Sequence, residues 1–199
     1  YPAARILAFE PDEQSFALLN KNILENQCTQ VQTIQRGLFN QHTVLQFAGD
    51  RADSSKISSS GDQRIQVVKL GDYLQEEVDF LKLNIEGAEW EVLEEIESRI
   101  DRVKELCLEY HGFPEIGQRL HQILMLLDRN GFRYLVHDFD KETNPATKPP
   151  FSIHQNSRFY LLIYAKRIFA KMNPAWRESR SISQQDLPVY ARNTGTSPV

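Results

Sequence analysis

The stretch that constrains the fold most is Val78-Asp79-Phe80-Leu81-Lys82-Leu83-Asn84-Ile85, strand-like in its apolar content and closed at once by Glu86-Gly87. Ala88, Val92, Leu93 and Ile96 then recur at helical spacing, so a strand runs through a tight turn directly into an amphipathic helix. Each has one apolar side to bury, and such a unit buries both by laying the helix across a sheet.

Similar units flank it. Ile6-Leu7-Ala8-Phe9 is a short apolar run that stops at Glu10-Pro11-Asp12, and Phe16, Leu19 and Ile23 follow at helical spacing. Asp12 and Glu13 suit the positive N-terminal end of that helix. Val31 to Arg36 reads as a strand closed by Gly37. Val44-Leu45-Gln46-Phe47 and Ile65-Gln66-Val67-Val68 bracket a polar loop, residues 49–64, and predict a hairpin between the main units. Leu106-Cys107-Leu108 predicts a buried strand, and Ile116, Leu120, Ile123, Leu124 and Leu127 an amphipathic helix with Gly131 at its C-cap. Tyr134-Leu135-Val136 and Phe159 to Tyr164 supply the last strands, separated by a loop with Pro145, Pro149 and Pro150. The pattern fades after Lys166, which predicts one domain over residues 1–166 and a loosely attached tail over 167–199. Strands alternating with helices predict an α/β fold, a largely parallel sheet with helices on both faces.

Ligands in such sheets bind beyond the carboxyl ends of the strands, which singles out Glu10, Arg36, Asn84, Glu86 and His111. Glu10, between a strand and a helix, suits an acid that accepts hydrogen bonds from ribose hydroxyls; the plainer reading is an acid stabilised by the helix dipole. Glu86 and Glu89 are three apart and would share one helical face, where paired carboxylates serve a base or a divalent metal, or again only the dipole. His111 titrates near neutral pH, although a histidine at a strand end is also an ordinary structural residue. His42, His121, His137 and His154 make no pair with zinc-ligand spacing, and no metal is assigned. Ser54-Ser55 and Ser58-Ser59-Ser60 lack the context of a hydrolase elbow. The nine glycines never fall in G-x-G spacing, so neither a dinucleotide turn nor a P-loop is present.

Composition narrows the partners. A length of 199 residues suits one domain with a substantial core. The net charge of -4 offers no electrostatic reason for a nucleic acid, and none is expected. No apolar stretch reaches the roughly 20 residues of a bilayer-spanning helix, so no membrane is expected either. Tyr1-Pro2-Ala3-Ala4-Arg5 has no signal-peptide character, and Cys28 and Cys107 have neither metal nor redox spacing; the expectation is cytoplasmic.

Taken together, the motifs resemble the FkbM-type methyltransferase family. Ala8-Phe9-Glu10-Pro11-Asp12, with Asn20 and Asn22-Ile23, is similar to its second-strand motif. Leu81-Lys82-Leu83-Asn84-Ile85-Glu86-Gly87-Ala88-Glu89, with Val92-Leu93, is similar to its most distinctive block, and Leu108-Glu109-Tyr110-His111 to the block after that. The hairpin and Leu70-Gly71-Asp72-Tyr73-Leu74 also sit where that family has them, so the similarity spans residues 3–165.

The resemblance implies a Rossmann-like class I methyltransferase sheet, S-adenosylmethionine as cofactor, and O-methylation of a hydroxyl on a sugar or small natural product. It implies that Glu10 binds the cofactor ribose and that Asn84 and Glu86 line the site near the methyl group; Arg36, from its strand-end position, is expected on the cofactor side as well. His111, then Glu86, are the candidate bases for the acceptor proton. Asn84 stands where the family has Asp. The first strand and its glycine-rich loop are expected to be missing, leaving either a gap in the sheet or direct pairing of residues 5–10 with 79–85. The alternatives are a degenerate binding module without activity, or an NAD-dependent oxidoreductase, against which the Glu86-Gly87-Ala88-Glu89 block speaks.

Overall fold

The computed structural model describes residues 3–48, 56–57, 63–138 and 150–168. Strand β1 (Ile6–Phe9) leads into α1 (Glu13–Glu25), whose N-cap Asp12 accepts a hydrogen bond from Ser15 N at 2.8 Å. β2 (Val31–Ile34) returns parallel to β1, and the two form a sheet of their own. β3 (Gly37–Phe39), β4 (Thr43–Ala48), β5 (Lys56–Ile57) and β6 (Gln63–Lys69) form a second sheet, in the order β3-β6-β4-β5. Its β4–β6 pairing, with Val44 opposite Gln66, is the hairpin expected from sequence. Short β3 and β5 join it without a comparable sequence signal.

The main sheet has the order β7-β8-β10-β9, built from β7 (Val78–Leu83), β8 (Val103–Gly112), β9 (Phe132–Asp138) and β10 (Phe159–Arg167). Helix α2 (Glu89–Glu95) follows β7, and α3 (Leu120–Arg129) follows β8. Leu81, Leu83, Leu106, Leu108 and Ile163 of the strands pack with Val92, Leu93, Ile123, Leu126 and Leu127 of the helices in one buried core. Removing each such side chain from water contributes about 1.5–3 kcal/mol, which makes this sheet the anchor of the described fold.

The mixed α/β class stands, and two details differ from expectation. Parallel pairs (β1–β2, β3–β6, β7–β8) are mixed with antiparallel ones, and in the main sheet β10 inserts antiparallel between β8 and β9. Among the described residues, α2 and α3 cover one face of the main sheet, while Phe80, Tyr164 and Leu135 of the strands are exposed. Of the two arrangements expected around residues 5–10, direct pairing with 79–85 is not found, and β1–β2 and β7–β8 stand in separate sheets, as a gap between them requires. β1 instead reaches the approach to β7 through side chains, Arg5 to Glu76 at 3.0 Å and Phe9 edge-on to Tyr73. Strand β10 continues through Arg167, one residue past the expected end of the domain, and the tail from 169 onward lies outside the described residues.

Candidate active site

Beyond β7 the chain turns through Glu86 and Gly87 into α2. Gly87 has φ +99°, and a Cβ there would lie 2.9 Å from Ile116 Cδ1 and 3.1 Å from Phe113 Cδ2, so the turn admits only glycine. Glu86 has φ +55°, a left-handed conformation that costs a residue with a side chain about 1–2 kcal/mol. Helix α2 begins at Ala88 with no capping side chain. Glu89, one of two acids in its first turn, accepts the Gly87 N–H at 3.0 Å.

The same Glu89 Oε1 lies 2.8 Å from His111 Nδ1, across from α2 to the end of β8. His111 Nε2 faces Glu86 Oε2 at 3.5 Å and Glu109 Oε1 at 3.7 Å, ion-pair distances rather than close hydrogen bonds. Side-chain exposure is 2% for His111 and for Glu89, against 26% for Glu86 and 22% for Glu109. The cluster therefore has a sealed floor and a partly open rim. The rings of Phe113 and Tyr160 stand 5.4 Å from the imidazole, and the Arg158 guanidinium lies 5.4 Å over Phe113. Burial by itself pushes the imidazolium down in pKa. The hydrogen bond and charge of Glu89, with the charges of Glu86 and Glu109, outweigh it and hold His111 above the ordinary histidine value.

Glu10 sits at the end of β1, where its Oε1 accepts the Asp12 N–H at 2.8 Å. Burial pushes its carboxyl up, the Asp12 amide offsets part of this, and the Asp12 charge adds to it. Arg36 is half-buried just past β2 and donates from Nη1 to the Gln35 carbonyl at 2.6 Å. Asn84 is exposed beyond the end of β7. Of the residues singled out in the sequence, then, Glu86 and His111 come together, while Glu10 and Arg36 bond within their own loops. Glu86 and Glu89 meet differently from a shared helical face: Glu86 lies in the turn before α2, and both reach one imidazole. Glu109 was not singled out, although it stands two residues before His111 on the same side of β8, which a period-two reading shows. Tyr160 is opposite His111 in the β8–β10 register, a relation without local sequence signal.

A family model for the methyltransferase FkbM domain matches residues 2–134, a span that holds Glu10, Arg36, Asn84, Glu86, Glu89 and His111. The chain belongs to that family. Among solved structures it is similar to the FkbM methyltransferase of Methylobacillus flagellatus KT, at 14% identity and a TM-score of 0.49. That likeness covers 80% of this chain and 36% of the other, so this FkbM chain spans little more than a third of that protein. It is also similar to an rRNA methylase from Streptococcus thermophilus, at 14% identity and a TM-score of 0.47, covering 83% of this chain and 74% of that one. No curated protein sequence matches it. The expectation of no nucleic acid partner does not stand, because a net charge of -4 does not by itself exclude one. Net charge averages over a whole surface, whereas contact with a polyanion is decided by the local field. On the membrane, the structure says that no helix among the described residues is long and apolar enough to cross one.

Proposed function

We propose that this FkbM chain is an S-adenosylmethionine-dependent O-methyltransferase of Rossmann-like class I architecture, acting on a hydroxyl of a sugar or small natural product. The observation that carries the reading is the His111 cluster, a buried imidazole whose Nε2 side opens toward two partly exposed carboxylates. Glu10, Arg36 and Asn84 would hold the cofactor. Glu10 fits: its half-buried carboxyl stands at a desolvation cost that one backbone amide only partly offsets, and two ribose hydroxyls would donate to it. Bound S-adenosylmethionine supplies a methyl group already activated by its sulfonium. The chain's own contribution is alignment, worth several kcal/mol of barrier, and removal of a proton. His111 Nε2 takes the proton that the acceptor hydroxyl sheds. Glu86 and Glu109, at the rim, pass it on to water. The left-handed Glu86 supports this, since strained conformations persist where surrounding structure is built for a task.

Calorimetry of S-adenosylmethionine binding tests the cofactor half. Glu10→Ala should weaken affinity by about 1–3 kcal/mol, the scale of charge-assisted hydrogen bonds, with the fold unchanged by circular dichroism. Equal affinity in both proteins removes Glu10 from the site, and binding of NAD in place of S-adenosylmethionine removes the methyltransferase reading. Labelled methyl transfer to a panel of sugars and hydroxylated natural products tests the acceptor. Transfer to ribosomal RNA instead would redirect the acceptor and leave the cofactor assignment standing.

A further inference from the structure

We propose that Glu89 is the positioning residue of His111, holding the hydrogen on Nδ1 so that Nε2 is the ring atom left to accept a proton. What that proton belongs to rests on the proposed function; the relation between the two side chains does not. Glu89 Oε1 receives the Gly87 N–H at 3.0 Å and is thereby already an acceptor. An oxygen so placed accepts a second hydrogen rather than giving one. The hydrogen in the 2.8 Å contact to His111 therefore sits on Nδ1. Gly87, whose φ of +99° suits glycine, makes the turn that sets this carboxylate against the imidazole.

The groups around the ring agree with that tautomer. Glu86 from the turn and Glu109 from β8 face Nε2 at 3.5 and 3.7 Å and favour a proton arriving there. Glu89 from α2 is on the Nδ1 side. Phe113 and Tyr160 of β10 hold the ring plane, and Arg158 stands one ring further away, over Phe113. Two of the three carboxylates thus surround the accepting nitrogen, and the third fixes which nitrogen that is. Glu89 should therefore set both the tautomer of His111 and part of its basicity.

Nitrogen-15 and carbon-13 histidine NMR on the whole chain, without cofactor or acceptor, tests this. His111 is assigned by the resonance lost in His111→Gln. In the unmodified protein the neutral ring should carry its hydrogen on Nδ1, with a titration midpoint above that of an ordinary histidine. Glu89→Gln keeps an oxygen for both hydrogens and removes the charge. It should keep the tautomer and lower the proton affinity of His111 by about tenfold or more, the effect of losing an adjacent opposite charge. An unmoved midpoint in Glu89→Gln overturns the proposal. So does a neutral ring with its hydrogen on Nε2 in the unmodified protein, a result that needs no variant and decides the matter even if Glu89→Gln does not fold. A failure of S-adenosylmethionine binding would strike the proposed function and leave this titration unchanged, so the two can fail separately.

Discussion

In the first strand–turn–helix unit, Asp12 caps α1 through Ser15 N, and its own amide goes to Glu10. In the second, no side chain caps α2, and Glu89 of its first turn reaches past its own helix to His111 on β8. Burial separates the two units as well. Helix α1 has no buried residue, whereas Val92 and Leu93 of α2 are wholly buried. The reason lies in what each helix meets. α1 accompanies a sheet of two strands, too narrow to cover a helix face, while α2 packs on β8, an inner strand of the four-stranded sheet, with α3 beside it. A similar local pattern thus serves a loop in one place and a cross-element contact in the other. A dry interior lets a charge act over a distance, because little solvent screens it.

The sharpest way to break this comparison is to remove the imidazole that only the second unit holds. His111→Ala should lower methyl transfer by roughly 10²–10⁴-fold, the usual scale for a general base, with little change in cofactor binding. The pH dependence has a definite sign. Only the neutral ring accepts a proton, so the rate should rise with pH through the His111 midpoint and then level off. Because that midpoint is held above the ordinary histidine value, the rise should come at higher pH than an exposed histidine would give. Near-normal turnover of His111→Ala across the pH range would make the histidine structural and remove the chemical distinction between the units.

Packing gives the next largest effect. Leu93 is wholly buried between α2 and the main sheet, so Leu93→Ala loses both its transfer energy and the contacts around the cavity left behind. Denaturant unfolding should show a loss of about 2–5 kcal/mol. A cost below about 1 kcal/mol would mean that α2 is not seated as tightly as its burial implies, and that the floor of the His111 cluster is correspondingly loose.

Much of this architecture is legible in sequence, and the illegible parts share a cause. The run from Val78, the helix spacing from Phe16 to Ile23, and the pairing of 44–47 with 65–68 are local patterns, and β7, α1 and the β4–β6 hairpin follow them. Leu106-Cys107-Leu108 shows only the middle of β8, because Glu105 and Glu109 alternate with buried Leu106, Leu108 and Tyr110 and break the apolar run. Ile116 has the right spacing for α3 but lies before it, since Gly117 takes φ +71° and the helix begins only at Leu120. Gly131, expected as the C-cap, sits one residue after the cap Asn130, with φ +82°. At the candidate site, strand ends were enough to single out Glu86 and His111. The neighbours that give His111 its environment depend on register and turn geometry: Glu89 across the helix end, Tyr160 across the β8–β10 pair. Spacing along the chain carries neither.

The smallest effect is the one expected in the first unit, and it is informative because it should be nearly absent. Leu18 of α1 is 58% exposed, with Leu24 of the same helix more exposed still. Leu18→Ala therefore removes few contacts, and alanine is at least as good a helix former as leucine, so backbone propensity gives no penalty. Thermal or denaturant unfolding should place Leu18→Ala within about 0.5 kcal/mol of the unmodified protein. Measured beside Leu93→Ala under the same conditions, the pair expresses the contrast between α1 and α2 as two numbers from one assay. If Leu18→Ala instead costs as much as the α2 substitution, the apolar side of α1 is covered in solution, and the two units differ in their acids but not in their packing.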